Sequence, residues 1–242
     1  MTEPAAGVDA LRAARAEILE RIAAACARVG RDPAGVQLVA VSKTVSAERL
    51  RDAVAAGLTD LGENRVQEGE AKRPALPGAT WHLIGPLQSN KARRALSAFD
   101  MIQSVDGVEL AQRLDRLARE VRAAGPASPY PILLQVNVDA DPGKAGFAAD
   151  DLPAALEAVA ALDALEVRGL MTIGRFTSDP AVARPTFTAL RRLSGELRAS
   201  HSGLGPALSM GMTDDFEVAV EEGATIVRVG RALFGERAHR PD

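Results

Sequence analysis

Short apolar runs alternate with longer amphipathic stretches along this chain, and the alternation recurs eight times. Residues 8–29 carry helical periodicity and stop at Gly30. VQLVAVSK (36–43) follows as an apolar strand, and SAERLRDAVAAG opens a helix at the capping residue Ser46 and closes it at Gly57. TDLGEN (59–64), WHLIG (81–85), MIQSV (101–105), YPILLQVNV (130–138), LEVRGLMTI (165–173), PALSM (206–210) and TIVRVG (225–230) supply seven more strands. Helices are predicted between them: a polar one through Lys72, one opened by SNKARRAL, one over about 107–124, then 150–162, 180–200 and 213–223, with ALFGER beginning the last. PASP (126–129) reads as a loop.

Strands that alternate with helices make parallel βαβ units. Eight such units in 242 residues predict an α/β protein of one domain, residues 1–242, closed as a (β/α)8 TIM barrel. A doubly wound open sheet is the alternative. Residues 1–7 and 238–242 are expected to be frayed tails.

Composition narrows the function. Hydrophobic residues make up 47% of the chain but aromatic ones only 3%, so aliphatic side chains must fill the core and no aromatic platform for single-stranded nucleic acid is expected. The net charge of -3 offers no basic field for nucleic acid or anionic lipid. The modest basic run Lys91, Arg93, Arg94 reads as a solvated helix face. The single cysteine, Cys26, cannot form an internal disulfide and fits a small buried helix residue in a reducing compartment. No signal pattern opens the chain and no run of about 18 apolar residues spans a membrane. The expected address is the cytoplasm. No set of His, Cys and carboxylates has metal-ligand spacing, so no metal is expected.

Polar residues collect at one level of the repeating unit, the carboxyl ends of the strands: Lys43, Asn64, His82, Met171 with Thr172, Ser209, and Arg228 with Gly230. In a barrel these ends converge on the mouth where sites are built. An almost wholly apolar run precedes Lys43, and desolvation there favours the neutral amine that condenses with an aldehyde. A lysine that snorkels from a strand end to water has the same signature. In TIVRVG, Ile226, Arg228 and Gly230 share one face, so Arg228 points inward and needs an acceptor, a carboxylate or a ligand. SMGMT (209–213) and VGRA (229–232) place Gly, Ser and Thr between strand and helix, where backbone N–H groups bind phosphate. They follow strands seven and eight, the usual phosphate station of this fold.

AVSKT, GENRVQEG, WHLIGPLQSNK, GKAGF, RGLMTI, LSMGMTDDFEVAV and TIVRVGRALFGER together resemble the YggS/PROSC type of pyridoxal phosphate homeostasis protein, over about residues 8–237. The resemblance implies a fold-type III barrel related to the N-terminal domain of alanine racemase, without that enzyme's C-terminal β-domain. It implies pyridoxal 5′-phosphate held as an aldimine on Lys43, with Arg228 facing the pyridine nitrogen. Ser209, Gly230 and Arg231 would cradle the phosphate with help from Gly211, Met212 and Thr213. Asn64 would lie near the ring hydroxyl and Met171 near the ring, and Lys144 matches a lysine that assists cofactor exchange. Arg65 stands where the family usually has Tyr after GEN. The family maintains cofactor supply and affects amino-acid and keto-acid balance, which makes enzymes in their cofactor-free forms the expected recipients; the missing dimer-forming domain of the racemases points to a monomer.

The residues bear on catalysis as well. Arginine only donates, so a pyridine nitrogen facing Arg228 stays an unprotonated acceptor and a poor electron sink. The two-base route of a racemase needs a second base. Tyr130, the one tyrosine, sits at the amino end of its strand. His82 remains the best acid/base candidate, though a structural hydrogen bond within its strand suits it better. His201 and His239 lie in polar segments. Asp214 and Asp215 are expected to cap a helix. No catalytic residue is assigned, and the expectation is a non-catalytic carrier, with a racemase-like amino-acid enzyme as the alternative and a Schiff-base aldolase behind it.

Overall fold

The computed structural model describes residues 7–122, 128–175 and 177–235. Eight parallel strands close into a barrel in chain order: β1 (Gln37–Val41), β2 (Asp60–Glu63), β3 (Thr80–Leu83), β4 (Met101–Val105), β5 (Tyr130–Gln135), β6 (Leu165–Met171), β7 (Ala207–Ser209) and β8 (Ile226–Val229). Pairing of β1 with β8, from Gln37 opposite Ile226 to Ala40 opposite Val229, closes the ring and rules out the open doubly wound sheet. The outer layer is α1 (Val8–Arg28), α2 (Ala47–Ala55), α3 (Val66–Lys72), α4 (Ala92–Ala98), α5 (Val108–Arg122), α6 (Leu152–Ala160), α7 (Pro180–Ser200), α8 (Phe216–Glu221) and the short α9 (Arg231–Phe234). His239, the tails apart from Gly7, the end of ALFGER, the last two residues of the predicted 107–124 helix and the first half of the PASP loop lie outside the described residues.

Side chains alternate across each strand, and the apolar residues sort accordingly. One large cluster lies between barrel and helices and includes Leu61, Trp81, Ile102, Leu134, Val227 and Val229. A small second cluster, Val39, Met101, Leu133, Met171 and Ile226, fills the barrel itself. The interior is thus packed solid below the mouth, as barrels of this kind are.

Cys26 is buried on α1. Arg93 pairs with Glu120 and Arg94 with Glu70, so acidic side chains meet these two cations of the basic run. Among the described residues no helix is long and apolar enough to cross a membrane, and no group of three His, Cys, Asp or Glu is placed to hold a metal ion.

Candidate functional site

The strand carrying Lys43 ends sooner than its apolar run predicts. β1 stops at Val41, and Thr44, three residues further, has φ of 68°. A β-branched residue rarely adopts that conformation and must be held in it. The Thr44 N–H donates to Glu68 Oε2 (3.0 Å), and Lys72 Nζ donates to the Ser42 carbonyl (3.0 Å). Lys72 also bonds Glu63 (2.7 Å) and Glu68 (3.0 Å), and Ser42 Oγ donates to Glu63 Oε1 (2.7 Å). The residues on either side of Lys43 are therefore clasped from β2 and α3. Glu63 is fully buried, and its Oε2 has no partner among the described residues. Burial pushes its carboxyl up, against the opposing pull of Lys72.

Lys43 lines a cavity of about 190 Å³ at the barrel mouth together with Val41, Asn64, Ile84, Ile173, Met212, Thr213, Asp214, Arg228, Gly230 and Arg231. That is smaller than the roughly 300–1,000 Å³ of drug-sized sites, so it suits one small ring and its substituents. A larger cavity, about 830 Å³, opens at the opposite end among Gln37, Met101, Ala207 and Ile226. The smaller one is the candidate site, because the amine and the buried guanidinium converge there, at the end where this fold does its chemistry.

Arg228 points inward from β8 and is only 4% exposed. Its Nη1 donates to Ser209 Oγ (2.6 Å) and its Nη2 to the Thr172 carbonyl (2.8 Å). Neutral oxygens thus receive the charge, with the Asp215 carboxylate acting at longer range. Burial pushes the guanidinium down to about 10, which leaves it protonated at neutral pH.

Beside the Lys43 segment, since β8 pairs with β1, the loops after β7 and β8 lean on each other. The Gly230 N–H donates to Thr213 Oγ1 (3.3 Å), and Arg231 pairs with Asp214. Gly211 has φ of 91°, and a Cβ there would lie 2.5 Å from Ala219 Cβ, so the turn demands glycine. The Asp215 carboxylate accepts the Met212 N–H ahead of α8 and makes no side-chain cap, which corrects the expectation of helix capping. Asp214 likewise faces Arg231 and does not cap.

The predicted residues separate into two levels. Lys43, Asn64, Met212, Thr213, Arg228, Gly230 and Arg231 line the cavity. Met171, His82 and Ser209 lie in the barrel interior, nearly or fully buried, and Gly211 supports the turn from behind. The buried Ser209 hydroxyl accepts from Arg228 and donates to Gln103, and its side chain shares the barrel interior with them. Lys144 sits on the loop after β5, its Nζ bonded to Asp139 (3.3 Å) and the Gly174 carbonyl (3.2 Å), outside the cavity lining. Arg65 is exposed at the start of α3. Tyr130 is buried at the amino end of β5, with its hydroxyl on the Phe99 carbonyl (2.7 Å).

Sequence reasoning missed Asp60 and Gln103, which share the interior with His82, and the Glu63–Lys72–Glu68 clasp. Alternation along β2 and β4 carried a signal for the first pair, since Asp60 shares a face with Asn64 and Gln103 with Met101.

The family described as alanine racemase, N-terminal domain, matches residues 14–238. The pyridoxal phosphate homeostasis protein of Pseudomonas aeruginosa is 47% identical over 224 residues, 92% of this chain and 94% of that one. PipY of Synechococcus elongatus, solved with PLP bound, superposes with a TM-score of 0.77 at 43% identity, covering 90% of this chain and 100% of that one. An alanine racemase of Clostridium difficile, 12% identical with a TM-score of 0.67, shares the fold over 56% of its own length. By sequence and by barrel, this chain belongs to the pyridoxal phosphate homeostasis protein family, which is built on the N-terminal domain of alanine racemases.

Proposed function

We propose that this protein binds pyridoxal 5′-phosphate (PLP) reversibly and serves intracellular PLP homeostasis and cofactor supply, with effects on amino-acid and keto-acid balance, without turning over a substrate. The observation that carries the reading is that Lys43 and Arg228 line one small cavity. The residues fit the group. Lys43 would hold the cofactor through its aldehyde carbon as an aldimine at Nζ, the carbonyl oxygen leaving as water. Arg228 offers a donor to the ring nitrogen. Asn64 stands at the ring hydroxyl. The first N–H groups of α9, which have no acceptor within that helix, lie with Thr213 and Arg231 on the phosphate side.

The site is poorly equipped for catalysis. Of its lining residues only Lys43, Asp214, Arg228 and Arg231 are ionisable, and Asp214 is paired with Arg231. His82 and Tyr130, the acid/base alternatives, are both buried away from the cavity. An arginine at the ring nitrogen also disfavours carbanion chemistry. Recipients are PLP enzymes in their apo-forms. In exchange Lys144 takes the aldehyde only after leaving Asp139 and Gly174. The protein works in the cytoplasm as a monomer; among the described residues the only large apolar side chains counted as exposed are Val29 and Val182.

Protein purified from cells should be yellow, and Lys43→Ala should remove the visible band while the fold persists. A wild-type band unaffected by Lys43→Ala would refute the assignment. Turnover of any D- or L-amino acid that disappears in Lys43→Ala would favour the racemase-like alternative.

A further inference from the structure

A line of polar side chains crosses the otherwise apolar barrel interior beneath the mouth. Arg228 Nη1 donates to Ser209 Oγ (2.6 Å), Ser209 Oγ to Gln103 Oε1 (2.6 Å), and Gln103 Nε2 faces His82 Nδ1 (3.1 Å). His82 Nε2 then meets Asp60 Oδ1 (3.3 Å), which also accepts from Gln37 Nε2 (2.7 Å). Gln103 and Ser209 are fully buried and His82 is 2% exposed.

The line has one consistent polarity. Arg228 can only donate and a carboxylate only accepts, so protons point from the guanidinium toward Asp60. Gln103 must present oxygen to Ser209 and nitrogen to His82, which puts the imidazole proton on Nε2. With the Gln103 amide reversed, the Ser209 proton loses its acceptor in this line, and the imidazole would need a proton on Nδ1 as well as one facing Asp60. Aligned dipoles of this kind favour a cation at the donor end. The neighbouring inward positions are Val39, Met101, Leu133, Met171 and Ile226. A polar line through that layer is costly unless every member is satisfied, and its upper end is the guanidinium that faces the site.

We propose that Gln103, His82 and Asp60, none of which lines the cavity, are positioning residues that hold Arg228, through Ser209, in the orientation that meets the ring nitrogen of bound PLP. Ser209 and the Thr172 carbonyl fix two guanidinium donors of a side chain that also lines the cavity. Removing Gln103 releases the Ser209 hydroxyl to rotate and lets Arg228 swing. The inference rests on PLP being the ligand of this site.

The test is a double-mutant cycle between Gln103→Leu and Arg228→Lys, read by the PLP dissociation constant and by the position of the visible band of bound PLP. Gln103→Leu in the wild-type background should weaken PLP roughly tenfold and shift the band, as loosening one charge-assisted hydrogen bond does. In the Arg228→Lys background the same change should have almost no effect on either readout. Asp60→Asn, which preserves volume at the partly exposed far end, should reproduce the band shift in smaller measure and guards against misfolding of Gln103→Leu. Equal losses in both backgrounds, or a lowered Tm with affinity and band unchanged, would overturn the positioning role while leaving PLP binding intact. A wild-type protein that takes up no PLP would overturn the cofactor reading itself, and this inference with it.

Discussion

Replacing Lys72 by Met tests how the loop bearing Lys43 is held. Lys72 Nζ bonds Glu63, Glu68 and the Ser42 carbonyl, and its side chain is 12% exposed against 0% for Glu63. Removing one partner of a buried ion pair costs about 3–5 kcal/mol. The lower end applies because Ser42 Oγ still donates to Glu63 Oε1. For a chain of this size about 3 kcal/mol lowers Tm by roughly 6–12 °C.

The sign of the pH dependence follows from Glu63. Burial raises its folded pKa above the ordinary carboxylate value, so folding binds the proton more tightly. The contribution of Glu63 to stability is then greatest at low pH and falls as pH rises from the unfolded pKa through the folded one. Lys72→Met removes the pull that keeps Glu63 lower, so the variant's deficit should be largest near pH 8 and shrink toward about pH 5. Urea unfolding of both proteins across that range reads it directly. Released from the Lys72 clasp, Ser42–Thr44 should also give less borohydride-trapped PLP. A deficit below about 1 kcal/mol, or one independent of pH, would refute the reasoning.

Two glycines set further limits. Gly85→Ala would put a Cβ 2.3 Å from the Asn64 carbonyl oxygen and 2.7 Å from its Cα, so backbone at the mouth must move; PLP affinity should fall about tenfold or more, measured by fluorescence titration. Gly211→Ala combines φ of 91° with the contact to Ala219 and should cost about 2–5 kcal/mol in urea unfolding, with loss of the turn that carries Met212 and Thr213.

The barrel was legible because each strand is a short apolar run and each helix carries its own stop, as at Gly30 and Gly57. Even the three-residue β7 was readable, since PALSM lies between two helical patterns. Arg228 was placed by alternation alone: Val227 and Val229 pack outward while Ile226 fills the interior. Depth was not legible. A strand pattern says which face a side chain takes but not how far down the barrel it sits, so Ser209 and Met171 read as strand-end positions in the sequence and are buried outside the cavity lining in the structure. The Glu63–Lys72 pair joins an outward strand position to the end of the next helix, a contact that depends on how α3 is laid against the barrel. The turn at Thr44 was hidden because nothing in the local sequence asks for positive φ; Glu68, twenty-four residues away, supplies the bond that holds it.

The chain has four lysines, Lys43, Lys72, Lys91 and Lys144, which makes covalent mapping unambiguous. Reducing the PLP-loaded protein with borohydride, digesting it and sequencing the peptides by mass spectrometry asks directly where the cofactor is attached. The account predicts a phosphopyridoxyl group on the peptide containing Lys43. Modification concentrated on Lys72, Lys91 or Lys144, with Lys43 intact, would contradict it.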